Sequence, residues 1–238
     1  MRSYRTVLVT GASRGLGAAL ARELAARGYT VVMAARSADD LRAVAEPLQA
    51  DHGERVQTMT LDLRDNAALM GAVAAVEARV GPLDVLVNNA GIGTYRPLGE
   101  WSAQDIADCV QVNLTAPMLL SHAALPGFVA RRHGMIVNIA SDLSRRHLAQ
   151  MAPYVATKAG LLGFAGSLLR EVKASGVKVS TVLPGIIDTA FNGAQEGSKQ
   201  ESWSLRPAVL AARVVDLLEL PEHVVIDELT IHPMQQDF

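Results

Sequence analysis

Hydrophobic and polar positions along this chain follow two alternating periods. Seven short runs are rich in β-branched residues, and several of them are nearly continuous apolar segments, which is typical of strands covered on both faces of a sheet. Between these runs, apolar residues recur three or four positions apart, as at Leu16, Leu20 and Leu24, and predict amphipathic helices. The predicted strands are TVLVT (6–10), TVVMAA (30–35), RVQTMTL (55–61), LDVLVNN (83–89), MIVNIAS (135–141), VKVSTVL (177–183) and EHVVIDELT (222–230).

Strands that alternate with helices predict a parallel sheet whose crossover connections are right-handed. No linker rich in proline or glycine divides residues 1–238, and two glycines, Gly28 and Gly81, suit helix C-caps. We therefore expect a single α/β domain, Rossmann-like and doubly wound, with a seven-stranded parallel sheet and helices on both faces. The polar segment 186–206 interrupts the alternation and predicts a substrate loop. The alternative is a solvated surface connection.

Composition and charge narrow the possible partners. The formal net charge is −2 with both signs interspersed, which argues against nucleic acid and anionic membranes as partners. The only cysteine, Cys109, allows no intrachain disulfide and is expected to be a small core residue. No apolar stretch approaches the ~20 residues of a membrane span, and the apolar run at the N-terminus is too short for a signal peptide. We expect a cytoplasmic protein and assign no metal ligand.

A glycine-rich segment, TGASRGLG, joins the first strand to the first helix. Its glycines, Gly11, Gly15 and Gly17, leave room for a tight turn and for close approach of a pyrophosphate to the helix N-terminus. Three glycines alone are compatible with ordinary turn chemistry. Their place between a strand and a helix favours a dinucleotide-binding loop.

The second predicted strand ends in Arg36, where a carboxylate would hydrogen-bond the ribose 2′-hydroxyl of NAD. An arginine can instead bind a 2′-phosphate through two parallel hydrogen bonds. Arg14, inside the glycine loop, offers a second cation to the same phosphate. Either arginine alone is compatible with a solvated loop residue, but the two together favour NADP(H) over NAD(H).

The segment YVATK places Tyr154 and Lys158 four residues apart on a predicted helix, so their side chains share one face. A tyrosine with its usual pKa of about 10 is a poor acid–base group at neutral pH. We expect the neighbouring ammonium group to lower the pKa of the phenol. This spacing also occurs on many exposed helices, so its meaning depends on the rest of the chain.

Further motifs occur in a fixed order around this pair. They are TGASRGLG (10–17), DL (62–63), NNAG (88–91), Asn113, NIAS ending in Ser141, YVATK (154–158) and PGIIDT (184–189). In order and spacing this set resembles the classical short-chain dehydrogenase/reductase family, and the resemblance covers nearly the whole chain. It implies an oxidoreductase that interconverts a carbonyl and a secondary alcohol by hydride transfer with NADP(H).

The resemblance also implies a role for each motif. Tyr154 would be the general acid in reduction and the base in oxidation, Ser141 would hydrogen-bond the same substrate oxygen, Lys158 would bind the nicotinamide ribose, and Asn113 would hold a water that continues the proton path. The implied cofactor-binding residues are Gly11, Ser13, Arg14, Gly15, Leu16, Gly17, Arg36, Asp62, Leu63, Asn89, Ala90, Gly91, Tyr154, Lys158, Pro184, Gly185, Ile187 and Thr189.

Several of these residues also have structural interpretations. Asn113 fits a helix irregularity whose backbone it would satisfy, Ser141 fits a turn or N-cap, and NNAG fits a simple strand-ending turn. Asp62 fits a cap for the helix that begins near Asn66. The presence of Asn113, Ser141, Tyr154 and Lys158 in register favours the catalytic interpretation.

The sequence indicates less about the substrate than about the cofactor. Candidate lining residues are Thr94, Tyr95, Asp142, Leu143, Met151 and 186–191. The C-terminal segment is similar to broad-specificity members that act on small carbonyls, hydroxy acids and alcohols, and it lacks the glycine-pair ending of the family's acyl-carrier-protein reductases. The resemblance implies a homo-oligomer, a tetramer or dimer. The alternatives are an NAD-dependent dehydrogenase or 3-oxoacyl reductase of the same fold, and a catalytically silent NADP(H)-binding sensor.

Overall fold

Seven strands form one parallel sheet in the computed structural model, which describes residues 4–236. Their order across the sheet is β3-β2-β1-β4-β5-β6-β7, and every neighbouring pair is parallel. The expected seven-stranded, doubly wound α/β fold is therefore confirmed. The strands are β1 (Thr6–Thr10), β2 (Thr30–Ala35), β3 (Val56–Thr60), β4 (Val85–Asn88), β5 (Gly134–Ile139), β6 (Val177–Pro184) and β7 (Glu228–Ile231).

Helices cover both faces of the sheet. One layer of the core packs β1, β2, β4 and β5 side chains against α1, α2 and α7, and the other packs alternate side chains against α3, α5 and α6. In β1, for example, Val7 and Val9 belong to the first layer and Leu8 to the second, as the two-residue period of a strand requires. The helices are α1 (Gly15–Ala26), α2 (Ala38–His52), α3 (Asn66–Val80), α4 (Ala103–Val110), α5 (Ala116–Arg131), α6 (Ala152–Val172) and α7 (Pro207–Asp216).

Local signals in the sequence explain where several helices begin and end. Ser37 caps α2 by accepting a hydrogen bond from Asp40, and Asp65 caps α3 by accepting one from Ala68. The alternative that Asp62 caps α3 is thus wrong, because Asp65 stands directly before the helix. Gly28 and Gly81 end α1 and α3 at φ of 91° and 83°, as expected of C-capping glycines.

The last strand differs from its prediction. Pairing with β6 as a strand begins at Glu228, so the prediction is wrong for residues 222–227. Val225 and Ile226 are partly buried against the two core layers. Their apolar pattern therefore reflects packing of an irregular segment and not strand pairing.

A π-helical turn, Gln111–Thr115, joins α4 and α5 into one helical stretch of 29 residues, Ala103–Arg131. By length and composition this stretch could span a membrane, since an 18-residue window of it has a mean hydropathy of 1.2, although no unbroken apolar run marks it in the sequence. Four of its side chains are fully buried in the core layer that packs α3, α5 and α6 against the sheet: Ala116, Leu120, Ala124 and Phe128. In the described chain it packs as a core helix.

The order of strands reverses at the centre of the sheet. The chain runs outward from β1 to β3, then returns to place β4 on the other side of β1. Connections that leave neighbouring strands in opposite directions open a crevice above their carboxyl ends. The predicted site motifs follow the carboxyl ends of these central strands.

Candidate active site

The glycine loop after β1 is shaped by close backbone contacts. Gly11 has φ of +68°, and a Cβ there would lie 2.8 Å from the Cα of Ala90. A Cβ on Gly17 would lie 2.1 Å from the carbonyl oxygen of Gly11 and 2.6 Å from Nδ2 of Asn89. Side chains at these two positions are therefore excluded by the fold itself. The loop holds its backbone at the N-terminus of α1, where free N–H groups favour an anion.

Thr10 connects the glycine loop to the turn after β4. Its hydroxyl accepts hydrogen bonds of 3.1 Å from the backbone N–H groups of both Asn89 and Ala90, and donates to the carbonyl oxygen of Val87 at 3.3 Å. The side chain of Asn89 donates in return to the carbonyl oxygen of Thr10 at 2.8 Å. Hydrogen bonds in both directions therefore join the NNAG turn to the end of β1. The turn thus does more than end a strand, because it also supports the glycine loop.

Arg14 and Arg36, the two arginines expected to bind a 2′-phosphate, lie in the loops that follow the neighbouring strands β1 and β2. Arg14 is the N-cap residue of α1 and Arg36 follows β2 directly, and both are exposed. Within residues 4–236 neither side chain makes an ion pair or a hydrogen bond. Asp62, half-buried after β3, accepts a 3.0 Å hydrogen bond from the backbone N–H of Arg64, and Leu63 beside it is buried.

Asn113 lies in the π-helical turn and anchors the segment after NNAG. Its Oδ1 accepts from the N–H of Ile92 at 2.8 Å, while Nδ2 donates to the carbonyl oxygen of Ile92 at 2.7 Å and to Thr157 Oγ1 at 3.1 Å. The interpretation as a backbone anchor at a helix irregularity therefore applies to the side chain. A Cβ on Gly91 would lie 3.5 Å from both Asn113 Oδ1 and Lys158 Nζ, so these groups border one space.

Tyr154 and Lys158 are buried one helical turn apart on α6, facing the carboxyl end of β5. Tyr154 is 8 % exposed and Lys158 is 3 % exposed. The Lys158 Nζ donates to the carbonyl oxygen of Ile139 at 2.8 Å and lies 5.7 Å from the centre of the Tyr154 ring. The pair thus faces inward, unlike the exposed helix pairs in which the same spacing often occurs.

Ser141 follows β5, and its side chain lies close enough to the Tyr154 phenol to act on the pKa of that group. Its Oγ also accepts from the backbone N–H of Leu143 at 3.2 Å and so caps the short helical turn Asp142–Ser144. The predicted capping role is therefore present together with the contact to tyrosine. The four residues Asn113, Ser141, Tyr154 and Lys158 are all buried at the same end of the sheet.

Burial has the largest effect on the pKa values of Tyr154 and Lys158. Loss of solvation raises the pKa of the Tyr154 phenol well above its usual range, the nearby Ser141 side chain opposes this rise, and the nearby Asp142 carboxylate adds to it. The expectation of a lowered Tyr154 pKa is thus wrong, because the loss of solvation on burial has a larger effect than the neighbouring ammonium group. Loss of solvation likewise lowers the pKa of Lys158 to about 8, while Cys109 opposes this shift.

The PGIIDT segment closes the crevice on its other side. Pro184 ends β6, and the Gly185 backbone N–H donates to the carbonyl oxygen of Ile231 at 2.8 Å. Ile187 pairs with Leu205 in an isolated bridge. A Cβ on Gly15 would lie 3.1 Å from Cγ2 of Thr189, so this segment touches the glycine loop directly.

These observations test whether a dinucleotide fits the crevice. The glycine loop leaves backbone uncovered where a Cβ would clash, two exposed arginines lie beside it, and a buried lysine faces the turn after β4. A pyrophosphate, a phosphate-bearing ribose and a second ribose require donors of these kinds. The residues present therefore fit the group.

Comparisons with known proteins decide the family. A family model described as short chain dehydrogenase matches residues 5–200. The chain belongs to the short-chain dehydrogenase/reductase family. The 3-oxoacyl-[acyl-carrier-protein] reductase FabG of Escherichia coli K12 is 37 % identical over 185 residues, which are 78 % of this chain and 74 % of the relative. The enzyme of the same name from Vibrio harveyi is 35 % identical over 236 residues, covering 96 % and 95 % of the two chains.

Solved structures of family members match the whole fold. An alcohol dehydrogenase from the archaeon Thermococcus sibiricus, complexed with 5-hydroxy-NADP, has a TM-score of 0.91 at 32 % identity and covers 98 % of each chain. A metagenomic short-chain oxidoreductase in complex with NADP has a TM-score of 0.85 at 35 % identity and covers 97 % of each chain. The sequence-based family assignment is confirmed.

Two acidic residues at this site were not assigned a role by the sequence reasoning. Asp142 was named only as a candidate pocket residue, yet it is buried and hydrogen-bonded to Ser141. Asp188 lies inside the PGIIDT motif and is 1 % exposed; it forms an ion pair with Arg206 and accepts hydrogen bonds from the backbone N–H groups of Gly197 and Lys199. The partners of Asp188 lie 9 to 18 residues further along the chain, and Asp142 also binds Gln236, 94 residues away, so no short motif marks either residue.

Proposed function

We propose that this family member is an NADP(H)-dependent oxidoreductase that interconverts a small carbonyl compound and a secondary alcohol, with Tyr154 as general acid and base. One observation carries the proposal. The buried side chains of Tyr154 and Ser141 lie close together at the carboxyl end of β5, and the buried Lys158, whose Nζ donates to the carbonyl oxygen of Ile139, lies one helical turn from Tyr154. Two hydroxyls in this position can both reach one substrate oxygen.

The residues that would hold the dinucleotide are those of the crevice described above. The backbone of Gly11 to Gly17 would bind the pyrophosphate, Asp62 and Leu63 would border the adenine, and Asn89 to Gly91 would border the riboses. Pro184, Gly185, Ile187 and Thr189 would border the nicotinamide. When bound, the nicotinamide supplies the hydride in reduction and accepts it in oxidation.

Tyr154 handles the proton of the same reaction. In reduction it donates the phenol proton to the carbonyl oxygen as negative charge develops there, and Ser141 donates a second hydrogen bond to that oxygen. The resulting phenolate lies in a site with little water, where the ammonium form of Lys158 stabilises it. In oxidation the phenolate takes the proton of the alcohol. Asn113 contributes by fixing Ile92 and Thr157 around the lysine.

Cofactor preference is proposed from the two arginines. Arg14 and Arg36 are exposed at the loops after β1 and β2, and their guanidinium groups are available for an anion between those loops. A ribose 2′-phosphate is the group that distinguishes NADPH from NADH at this position. Solved relatives bound to NADP or its derivative support the same preference.

The substrate is proposed as a small-molecule carbonyl or alcohol. A 3-oxoacyl thioester is the second candidate, because several curated relatives are 3-oxoacyl-[acyl-carrier-protein] reductases. A domain spanning residues 1–238 with a substrate loop at 186–206, a cytoplasmic location and assembly into a homo-oligomer complete the proposal.

A substrate screen with both cofactors tests this function. The panel contains ethyl acetoacetate, acetoacetyl-coenzyme A, small ketones, secondary alcohols, and hydroxy acids including serine, each followed by absorbance of the reduced nicotinamide. We expect turnover with NADPH and a loss of at least about 100-fold in kcat for Tyr154→Phe, because the acid is removed. Tyr29→Phe, which is remote from the crevice, is the matched control and should keep full activity.

Turnover that persists in Tyr154→Phe would disprove the proposed acid. Tight NADPH binding without turnover of any panel member would instead favour the sensor alternative. Equal turnover with NADH and NADPH would contradict the proposed cofactor preference while leaving the reaction type intact.

A further inference from the structure

The carboxylate of Asp142 is the nearest charged group to the catalytic serine. Asp142 is 6 % exposed, and its Oδ1 accepts hydrogen bonds from the Ser141 hydroxyl at 3.0 Å and from the Leu143 backbone N–H at 2.8 Å. A carboxylate can only accept, so the single proton of Ser141 is directed toward Asp142 in this structure. The lone pairs of Ser141 Oγ remain available to accept, and one of them accepts from the backbone N–H of Leu143 at 3.2 Å.

The second oxygen of Asp142 is held by the C-terminal segment, His232 to Gln236. Gln236 Nε2 donates to Asp142 Oδ2 at 2.8 Å, and His232 Nε2 lies 3.6 Å from the same oxygen. Gln236 also faces the other side of the site, because its Oε1 accepts from the backbone N–H of Ile186 at 2.8 Å. The two ends of this one amide group therefore join the loop after β5 to the loop after β6.

The site is built to receive this amide. A Cβ on Gly185 would lie 2.0 Å from Gln236 Oε1, so a side chain there would expel it. The C-terminal segment is also fastened to the substrate loop, since the backbone N–H of Gln235 donates to the carbonyl oxygen of Ser202 at 3.1 Å. The contact between Gln236 and Asp142 is thus one part of a larger attachment.

We propose that Asp142 is a positioning residue for Ser141, and that the C-terminal segment fixes it through Gln236. The inference deepens the proposed function and rests on it, since it gives Ser141 a catalytic role. The Asp142 carboxylate holds Ser141 Oγ in position, and the serine proton turns from Asp142 to the substrate oxygen when substrate binds. It also places one negative charge beside the position where the substrate oxygen and the Tyr154 phenolate become negative.

The titratable and charged groups around this position are few among the described residues. His232 faces Asp142 from the segment after β7. The charge of Asp142 also raises the pKa of two tyrosines, Tyr95 in the loop after β4 and Tyr154 on α6. Cys109 on α4 and Lys158 on α6 complete the surroundings of Tyr154. The Asp142 charge raises the pKa of Tyr154, so its removal should lower that pKa.

A polarity swap tests the bridge without changing its shape. In Asp142→Asn, Oδ1 can still accept from Ser141 and Leu143, but the new NH₂ group faces the NH₂ group of Gln236. If the Gln236 amide group rotates by half a turn to avoid this contact, its NH₂ group instead faces the N–H of Ile186, which is also a donor. Gln236→Glu instead sets two carboxylates against each other. The double variant restores every hydrogen bond, because the introduced carboxylate can accept both from the introduced amide and from the N–H of Ile186.

Amide hydrogen exchange reports the bridge independently of any substrate. We expect the Ile186 amide to exchange about tenfold faster in each single variant and to recover in the double variant, since one hydrogen bond is lost and then restored. Glu228→Gln is the matched control, because it removes a carboxylate that pairs with Arg145 on the same edge and does not contact Ser141. It should leave exchange at Ile186 unchanged.

Turnover of the best panel substrate reports the positioning role. We expect kcat to fall about 10- to 100-fold in each single variant and to recover in the double variant, with the dissociation constant for NADPH unchanged by fluorescence titration. In oxidation, kcat/KM rises as Tyr154 ionises, and this rise should move to lower pH in Asp142→Asn. The shift should persist in the double variant, because the carboxylate introduced by Gln236→Glu contacts residue 142 and Ile186 and makes no hydrogen bond with Ser141.

Each failure has a distinct meaning. Unchanged kcat and an unchanged pH profile in Asp142→Asn, in an active wild type, would overturn the positioning role. A double variant no better than its parents in exchange and turnover would overturn the bridge. Absence of turnover in the wild type with every panel member would overturn the proposed function together with the role of Asp142 in it, whatever the exchange data show.

Discussion

Lys158 and Ile139 are joined by a 2.8 Å hydrogen bond from Nζ to the backbone carbonyl oxygen at the carboxyl end of β5. The ammonium group is buried, with only 3 % of the residue exposed. Loss of solvation lowers its pKa from 10.5 to about 8. The fold therefore keeps this ammonium group close to Tyr154, although burial destabilises its charged form.

The stability of Lys158→Met relative to the wild type should depend on pH. Between about pH 8 and 10.5 the unfolded lysine binds a proton that the folded lysine has lost, so wild-type stability rises with pH in this window. The shift corresponds to about 3 kcal/mol in total, of which about 2 kcal/mol should be recovered between about pH 7 and 9.5. Urea unfolding of both proteins at these pH values measures the difference.

The exposed Lys173, changed to Met, reports the effect of removing one positive charge from the chain. A difference between Lys158→Met and the wild type that is constant with pH would contradict the lowered pKa. The upper limit of the window avoids the ionisation of tyrosines, which acts on stability in the opposite direction.

Gly17→Ala should destabilise the protein and abolish NADPH binding. The new Cβ would meet the carbonyl oxygen of Gly11 at 2.1 Å, and that backbone shapes the proposed pyrophosphate loop. We expect a loss of at least about 1–3 kcal/mol in unfolding free energy, as for an overpacked site. Gly71→Ala is the control, since a Cβ there meets nothing within 4 Å on α3. It should stabilise the protein by about 0.5–1 kcal/mol.

Arg36→Asp should change the cofactor preference. A carboxylate after β2 repels a ribose 2′-phosphate and accepts a hydrogen bond from a 2′-hydroxyl. We expect the dissociation constant for NADPH to rise by at least about 100-fold, with that for NADH unchanged or lower, in fluorescence titrations at fixed salt. Arg22→Asp, an exposed arginine on α1, makes the same change in net charge and should weaken NADPH far less. Equal weakening of NADPH and NADH would show that Arg36 is a surface residue.

Asp188→Asn should loosen the substrate loop. Asp188 is buried and binds Gly197, Lys199 and Arg206, all of which lie in that loop. Loss of these charge-assisted bonds should lower the unfolding free energy by roughly 1.5–3 kcal/mol and speed cleavage within 190–206 by trypsin. Glu201→Gln, which removes an exposed partner of the same arginine, should change stability by less than about 1 kcal/mol. Identical cleavage rates would show that Asp188 does not hold the loop.

The sheet and the order of its motifs could be predicted from the sequence because both are local patterns. Nearly continuous apolar runs mark buried parallel strands, and glycines mark turns that no side chain can enter. The seventh strand was misplaced for the same reason: Val225 and Ile226 are apolar because they pack on the core, and the pattern does not distinguish packing from pairing.

The electrostatics of the site could not be predicted from spacing alone. The YVATK motif places an ammonium group near a phenol, but the direction of the Tyr154 pKa depends on how fully both are buried. The role of Asp142 depends on Gln236, which is 94 residues away in the chain. Only the fold brings such partners together, and no local pattern records their distance.

The hydroxyl of Thr10 has a consequence for the order in which this protein becomes functional. It joins β1 to the turn after β4 across a sequence separation of 79 residues. The glycine loop therefore acquires its final support only after the chain beyond residue 90 has been synthesised and β4 has paired with β1. Until then a nascent chain that already contains the whole glycine-rich sequence lacks a place for a nucleotide, so the cofactor can stabilise the finished sheet but cannot guide its first half.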